Sequence, residues 1–438
     1  MKVAIVHPWF AMGGGEKVIS ALVALYPNAH VYCLFGDQHA LPKGLSLDQV
    51  HTSFLNDIPL ARRMNRVLFP LHPAAVGAFD LSGYDLVISS DSPPTKAIVP
   101  VNNTVHISYC HTPPRFIWDL APRFIATLPG VVRPLFAVLA DYARTSDFVA
   151  AQRLDHFVAN SRYIQQRIRK YYGRYATVIY PPVDTSRGFL SESCGEYFLS
   201  VGRLVMSKRI DLLIDACNRL GCRLIIVGTG REEKRLKAMA GPTIEFLGYV
   251  PDAQLPSLYA NCRALLFAAD EDFGIVSVEA QSFGRPVIAY GAGGSLETVR
   301  VGDPQGRSDT GVFFSEQTVE SVVKAILRFD VVQHNFIPRE IQEVARRFDT
   351  AVFMKQMHKF ANDAIEMAGS WTKGGASTNG RVHITPWSTR GKRANGHIAR
   401  PATRSYQRTG RSVGTIQSRN PTFRAARTLR GSTPMNTT

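Results

Sequence analysis

Glu271 and Glu279 stand eight positions apart in the stretch AADEDFGIVSVEAQSFGRPVIAY (268–290), around a glycine and a run of aliphatic residues. RALLFAA, just before, is apolar enough for a buried strand, and from Ile275 onward the spacing predicts a helix. Glu271 then sits in the exit loop of the strand. Glu279 lies roughly one turn into the helix, about 6 Å of rise from its start. The amides of Phe273, Gly274, Ile275 and Val276 fall at the helix N-terminus, where N–H groups lack helical acceptors and attract anions. A ligand built as sugar, diphosphate and ribose would meet Glu271, these amides and Glu279 in that order. Both carboxylates would then accept hydrogen bonds from hydroxyls, without acid–base or metal chemistry. Spacing alone leaves a solvated loop acid and a surface helix acid equally open.

Three other loops follow apolar strands. In VGRLVMSK (201–208), Arg203 leaves a strand and Lys208 precedes the next helix. Two cations at that edge could clamp a diphosphate, Arg through its fork and Lys as a point charge; a solvated loop pair is the alternative. Gly13, Gly14 and Gly15 break the first strand from the first helix, either as a phosphate-approaching loop or as a tight turn. The motif is neither a P-loop nor GxGxxG. Gly228-Thr229-Gly230 is followed by Glu233 where a dinucleotide fingerprint needs a small residue, which disfavours a nicotinamide dehydrogenase and favours helix packing.

The elements around these loops repeat. VAIVH, YDLVISS, TVHISYC and FVANS read as buried strands with helices between them, as a parallel sheet covered on both faces requires. A proline-rich joint, YPPVDTSRGF (180–189), precedes a second alternating series: EYFLSVG, CRLIIVG, TIEFLGYV, RALLFAA and RPVIAY. The reading is α/β, with an N-terminal doubly wound domain over 1–180 and a second over 181–350. A final amphipathic helix, expected over 351–368, carries Phe353, Met357, Phe360, Ala361 and Ala364 on one side. In open sheets of this kind ligands bind beyond the carboxyl ends of the strands, so two such sheets facing each other make a cleft.

The net charge of +16 looks like a nucleic-acid or membrane signal until it is located. Residues 371–438 hold thirteen Lys and Arg and no Asp or Glu; the rest of the chain keeps 38 basic residues against 35 acidic. The charge belongs to the tail, and 369–438, rich in Gly, Ser, Thr and Asn, is expected to be disordered. The six cysteines show no CxxC pair and no zinc spacing, and read as reduced thiols. MKVAIVHPWF enters a strand at once, without a signal-peptide pattern. No apolar run of about 18 residues predicts a membrane span. The nearest candidate, 124–140, is interrupted by Pro129, Gly130, Arg133 and Pro134 and fits a core or membrane-surface helix. A nucleic-acid binder working through the tail is the rival class, but nothing in the body supports it and the tail has no regular RGG repeat.

The segment from Glu271 to Glu279 resembles the E-x7-E signature of retaining GT-B glycosyltransferases. Residues 1–368 resemble glycosyltransferase family 4, in the subgroup of mannosyltransferases of bacterial polysaccharide and O-antigen assembly. GGGEKV, YCHTPPRFIWDL, VIYPPVD, VGRLVMSKRIDLLIDA and EDFGIVSVEAQSFGRPVIAYGAGGSLETV carry the likeness, in the right order. It implies the GT-B fold, with Glu271 holding sugar hydroxyls, Glu279 the ribose, and Arg203 with Lys208 the diphosphate. Gly14, Gly15 and the amides near Gly274 would approach the phosphates, and His111 would lie close to the transferred sugar. Asp272 stands where the family more often has Gly, and Gly15 where Ala is common. The implied reaction is metal-independent transfer of a hexose with retention, GDP-mannose being the first donor and UDP-glucose an alternative. The acceptor would be a saccharide, free or linked to a polyprenyl diphosphate. The implied location is cytoplasmic, with peripheral contact to the anionic inner membrane face and no nucleic-acid partner.

Overall fold

The computed structural model describes residues 1–10, 14–36, 41–42, 44–65, 68–91, 94–99, 103–302 and 308–374. Gly13 and the expected disordered segment beyond 374 lie outside the described residues.

The apolar runs become strands because each finds neighbours on both edges and helices on both faces. In the N-terminal lobe these are β1 (Val3–Trp9), β2 (His30–Phe35), β3 (Val50–Thr52), β4 (Leu86–Asp91), β5 (Val105–Cys110), β6 (His156–Ala159) and β7 (Thr177–Val178). They form a parallel sheet in the order β3-β2-β1-β4-β5-β6-β7. Every residue of β4 and β5 is buried, and their register runs from Leu86 opposite Val105 to Asp91 opposite Cys110. The helices of this lobe are α1 (Gly14–Leu25), α2 (His72–Gly77), α3 (Ala121–Ala126), α4 (Arg133–Gln152) and α5 (Arg162–Tyr172).

The second lobe repeats the plan with β8 (Tyr197–Val201), β9 (Arg223–Val227), β10 (Ile244–Gly248), β11 (Leu265–Phe267), β12 (Val287–Tyr290) and β13 (Gly311–Phe314). Its sheet order is β10-β9-β8-β11-β12-β13, again parallel. Its helices are α6 (Ile210–Leu220), α7 (Glu233–Met239), α8 (Leu255–Asn261), α9 (Ile275–Ser282), α10 (Ser295–Thr298), α11 (Val319–Val332) and α12 (Pro338–Arg346). Strand order reverses between β1 and β4 in one sheet and between β8 and β11 in the other. Loops at the carboxyl ends of these strands border the crevice where open α/β sheets take ligands.

The chain crosses between lobes twice, and the crossings are fastened together. Val183, in the proline-rich joint, donates to Phe348 O at 3.0 Å and accepts from Thr350 N at 3.1 Å. Helix α13 (Thr350–Gly374) then returns to the N-terminal lobe, where Phe353, Met357, Ala361 and Ala364 join the core that holds Ile19 and Leu22 of α1. This helix runs past the expected boundary at 368, so 369–374 is helical rather than disordered. Extending a helix already anchored by a buried face needs no new nucleus.

One polar cluster lies deep in the N-terminal lobe. Lys96 Nζ is 2.8 Å from both Asp91 Oδ2 and Asp147 Oδ1, and its side chain is 1% exposed. Asp147 Oδ2 also accepts from Trp118 Nε1 at 2.9 Å and Tyr172 Oη at 2.7 Å. The cluster joins the end of β4 to α4 and α5.

Candidate active site

The first turns of α1 and α9 approach each other across the cleft. A Cβ placed on Gly14 would lie 2.9 Å from Ile275 Cδ1, the tip of a side chain on α9, which shows how near the two lobes come at this point. A Cβ on Gly15 would meet His7 and His111 only at ordinary contact, 3.7–3.8 Å, which fits a position that takes Gly or Ala. Gly274 caps α9 with φ of +87°, in the left-handed region where a side chain would be strained. Both helices therefore point amide-rich ends at one space. The Phe273 ring is buried against Tyr180 and Phe348, leaving its backbone for a ligand. Gly293 and Gly294 lie under the Glu271–Phe273 loop; Gly294 N donates to Glu271 O at 2.7 Å, and a Cβ on Gly294 would strike Phe273 Cα at 2.3 Å.

Lys208 ends a short 3-10 turn (Met206–Lys208) held by Arg209 in the left-handed region, φ 51°. Its ammonium is ion-paired with Glu271. Burial, with the neighbouring Arg203 charge, lowers the Lys208 pKa to about 8, and Asp272 opposes the shift. The Glu271 contact also opposes it, so the group is charged at neutral pH. Arg203 is exposed on the same rim. Its loop packs on Gly228 and Gly230: a Cβ on Gly228 would lie 2.0 Å from Gly202 O, and one on Gly230 2.2 Å from Leu204 O. Those two glycines pack against the 202–204 loop.

Glu279 is engaged from both lobes. Lys17 of α1 pairs with one oxygen, and Tyr259 Oη of α8 donates to the other at 2.8 Å. They border a cavity of about 60 Å³ lined also by Asp184, Arg187, Asp252 and Leu255. Asp252 and Leu255 bring the segment after β10 to the same cavity.

His111 follows β5. Its N–H donates to Asp91 O at 3.1 Å, its carbonyl accepts from Asn160 Nδ2 at 2.9 Å, and Nε2 lies 2.8 Å from Ser90 Oγ. Burial and the neighbouring His7 hold its pKa down to about 3, against Glu16, so the ring is neutral throughout the physiological range. It can offer a hydrogen bond but not a proton.

Lobe-spanning contacts outside the expected set hold the geometry. Arg115 donates to Asp270 through its carboxylate at 3.1 Å and its carbonyl at 3.3 Å. Glu297 of α10 accepts from the amides of Arg162 and Tyr163, both at 2.9 Å, capping α5. Asp272 Oδ1 is buried without a hydrogen-bond partner, and burial raises the carboxyl to about 6 from 3.8 despite Arg115 and Arg167. The folded state therefore binds more protons than the unfolded one between about 4 and 6, and stability falls as pH rises through that window. Asp272→Asn is expected to flatten that segment of the stability–pH curve, read from urea midpoints between pH 4 and 7.

The structure thus brings His111, Arg203, Lys208, Glu271, Glu279 and the first turns of α1 and α9 to one cleft. Lys17, Arg115 and Tyr259 were missed; their lobe and contacts are set by tertiary packing, and only GGGEK hinted at Lys17. Among the described residues no three His, Cys, Asp or Glu side chains converge on a metal-sized site, and no helix is long and apolar enough to cross a membrane.

Two parallel α/β lobes with facing carboxyl ends, a returning C-terminal helix and an anion-receptive cleft define a GT-B glycosyltransferase. The model of Glycosyltransferase Family 4 matches residues 12–187, and that of Glycosyl transferases group 1 matches 186–330. The chain belongs to glycosyltransferase family 4 and is a hexosyltransferase. The α-1,3/1,6-mannosyltransferase ALG2 of Candida glabrata is 23% identical over 368 residues, spanning 68% of this chain and 78% of that protein. Glycogen synthase of Pseudomonas syringae is 31% identical over 33% of this chain and 31% of its own length. The crystal structure of Anabaena HepE with UDP-glucose covers 83% of this chain and 100% of its own, at TM-score 0.61 and 20% identity, a likeness of fold.

Proposed function

We propose that the chain transfers mannose from GDP-mannose, with retention, to a saccharide carried on a polyprenyl diphosphate during cell-surface polysaccharide synthesis. The observation that carries a nucleotide-sugar donor is the pairing of Glu279 with Lys17 and Tyr259 beside two facing helix N-termini. A ribose would take over the carboxylate from Lys17, and the diphosphate would lie between the amides of α1 and α9. The length of the similarity to a mannosyltransferase favours mannose; UDP-glucose is the second reading, favoured by the ligand of the HepE structure.

In this reading the bond between the anomeric carbon and the diphosphate oxygen breaks as the acceptor oxygen bonds to the same face of that carbon. The acceptor proton passes to the departing diphosphate. Lys208, Arg203 and the helix amides meet the charge growing on the leaving group, and a neutral His111 offers hydrogen bonding near the sugar. Glu271, now on Lys208, would turn to sugar hydroxyls when the phosphate claims the lysine. No step needs a metal, so turnover should persist in EDTA. The chain would work in the cytoplasm at the inner membrane face, with no nucleic-acid partner.

The test is nucleotide release from GDP-mannose, UDP-glucose, UDP-galactose, UDP-GlcNAc and GDP-fucose by wild type and Glu279→Ala. Release from GDP-mannose is expected, with KM raised on the order of tenfold or more in the variant through loss of a charge-assisted hydrogen bond. Release from a different donor alone would replace the mannose reading, and release unchanged by Glu279→Ala would remove the ribose role.

A further inference from the structure

Two thiols meet at the end of α6 that is remote from the cleft. The helix opens two positions after Lys208 and runs for 11 residues, about 16 Å of rise. Gly221 then turns the chain in the left-handed region, φ 65°, and the amides of Gly221 and Cys222 both donate to Cys217 O, the second at 3.2 Å. This fold-back brings a residue five positions on against the last turn of the helix. Cys222 Sγ lies 3.9 Å from Cys217 O, and the two thiols hydrogen-bond each other. The stretch CNRLGC has no CxxC spacing, so it is the glycine cap that pairs them.

The two members differ in a way that suits different roles. Cys217 is fully buried in the core that holds Phe198 and Leu213, whereas Cys222 is partly exposed at the edge of that core. The hydrogen bond with Cys217 draws the Cys222 pKa below its ordinary value against burial; Arg263 adds to the effect and Asp330 opposes it. The same contact, with burial, raises the Cys217 pKa. Thiolate is the attacking species, so the accessible member attacks first. All six cysteines are free, and the other four lack this arrangement. Cys33 and Cys110 are buried strand residues whose thiols burial holds protonated. Cys194 is exposed with its Sγ 3.7 Å from Cys262 O, but Cys262 donates to Tyr259 O at 3.3 Å and burial pushes its thiol up to about 12.

We propose that Cys217 and Cys222 form a reversible thiol–disulfide site, in which Cys222 attacks a low-molecular-weight disulfide and Cys217 resolves the adduct. The Cys222 thiolate bonds to one sulfur of the small disulfide, whose S–S bond breaks to release the first small thiolate. Cys222 is then a neutral mixed disulfide, and its hydrogen bond and charge no longer hold the proton on Cys217. Cys217 gives that proton to solvent, its sulfur bonds to the Cys222 sulfur, and the second small thiolate leaves. Two protein thiols are oxidised, one small disulfide is reduced, and the two protons released end on the two small thiols. Excess small thiol runs the exchange backwards.

Trypsin cuts after Arg219, so the two cysteines fall on separate peptides, 210–219 and 220–223. The folded full chain, incubated with glutathione disulfide, alkylated and digested without reduction, is expected to yield these peptides joined and lighter by two hydrogens than their reduced sum. Cys217→Ser is expected to keep glutathione on Cys222 instead, raising that adduct about tenfold or more over wild type. Cys222→Ser is expected to leave Cys217 unmodified, which decides the order of attack even if the core substitution at 217 fails to fold. The bridge closes a short loop of the unfolded chain, so oxidised wild type is expected to melt higher than reduced wild type and to return on adding dithiothreitol. A glutathione adduct that persists on Cys222 of wild type would overturn the proposal. So would a joined peptide that forms only in urea, glutathione on Cys217 of Cys222→Ser, or a bridge between Cys194 and Cys262 in place of this one. A melting temperature that falls on oxidation would also overturn it, because the folded chain would have to distort to close the bond.

Discussion

Lys208→Met is expected to lower kcat for nucleotide-sugar turnover by about 10²–10³-fold, the scale on which loss of one preorganised charge-stabilising group acts. The ammonium lies among Glu271, Arg203 and Asp272, shielded from water at the edge of the cleft. Charge on the leaving diphosphate grows toward the transition state, so the loss should appear in kcat more than in KM. Steady-state kinetics on the donor identified by nucleotide release would show the split, and a rise in KM with kcat intact would reassign Lys208 to ground-state binding. The pH profile gives a second reading. With the Lys208 pKa drawn down to about 8, kcat/KM of the free enzyme is expected to fall as pH rises through that region. The variant should lack that limb. Stability should move the other way. Because the folded pKa lies below the unfolded value of 10.5, the unfolded chain binds more protons between about 8 and 10.5, and wild-type stability rises with pH there. Lys208→Met removes that rise and costs no stability at neutral pH, so lost activity with an unchanged melting temperature is the expected combination.

Lys96→Met is expected to destabilise the protein by about 3–5 kcal/mol, the cost of removing one partner from a buried ion pair. Asp91 and Asp147 would face each other without the cation, in a site where Lys96 and Asp91 are 1% and 0% exposed. Urea unfolding at neutral pH measures the loss. Burial already pushes the Asp91 carboxyl up, held back chiefly by Lys96. Without the lysine its folded pKa rises further, the folded state binds more protons than the unfolded chain, and the variant regains stability as pH falls. Adding Asp91→Asn and Asp147→Asn should restore much of the loss, since no uncompensated charge remains. A Lys96→Met variant as stable as wild type would mean that the site hydrates on mutation. The cluster also bears on the cleft, because Asp91 O accepts the His111 amide; the variant should weaken turnover even where it remains folded.

Much of this molecule was legible along the chain, for a local reason. A strand buried on both faces must be apolar throughout, so VAIVH, YDLVISS and RALLFAA declared a parallel sheet, and glycines with cations after such strands fell where a doubly wound fold opens its crevice. Arg203, Lys208, Glu271 and Glu279 could be placed at loop ends because strand exits and helix starts are properties of nearby residues. The helical spacing of 353–364 likewise announced an apolar face, though the end of that helix lay beyond 368, since propagation past an anchored face follows no sharp sequence signal.

What only the tertiary structure decided is which side chains meet. Lys17 and Glu279 are 262 positions apart and Arg115 and Asp270 are 155 apart, pairings that arise where the lobes face each other and that no local pattern encodes. Lys96 reads as an ordinary loop lysine after two prolines, yet packing of β4 against α4 and α5 removes it from water and leaves it two carboxylates. The same holds for 124–152: its apolar residues were plain in the sequence, but which of them face the core and which face solvent depends on the sheet that α4 covers. Residue type and short-range spacing set the elements and the chemistry available, whereas charge state, partner and exposure follow from distances between elements, which folding alone creates.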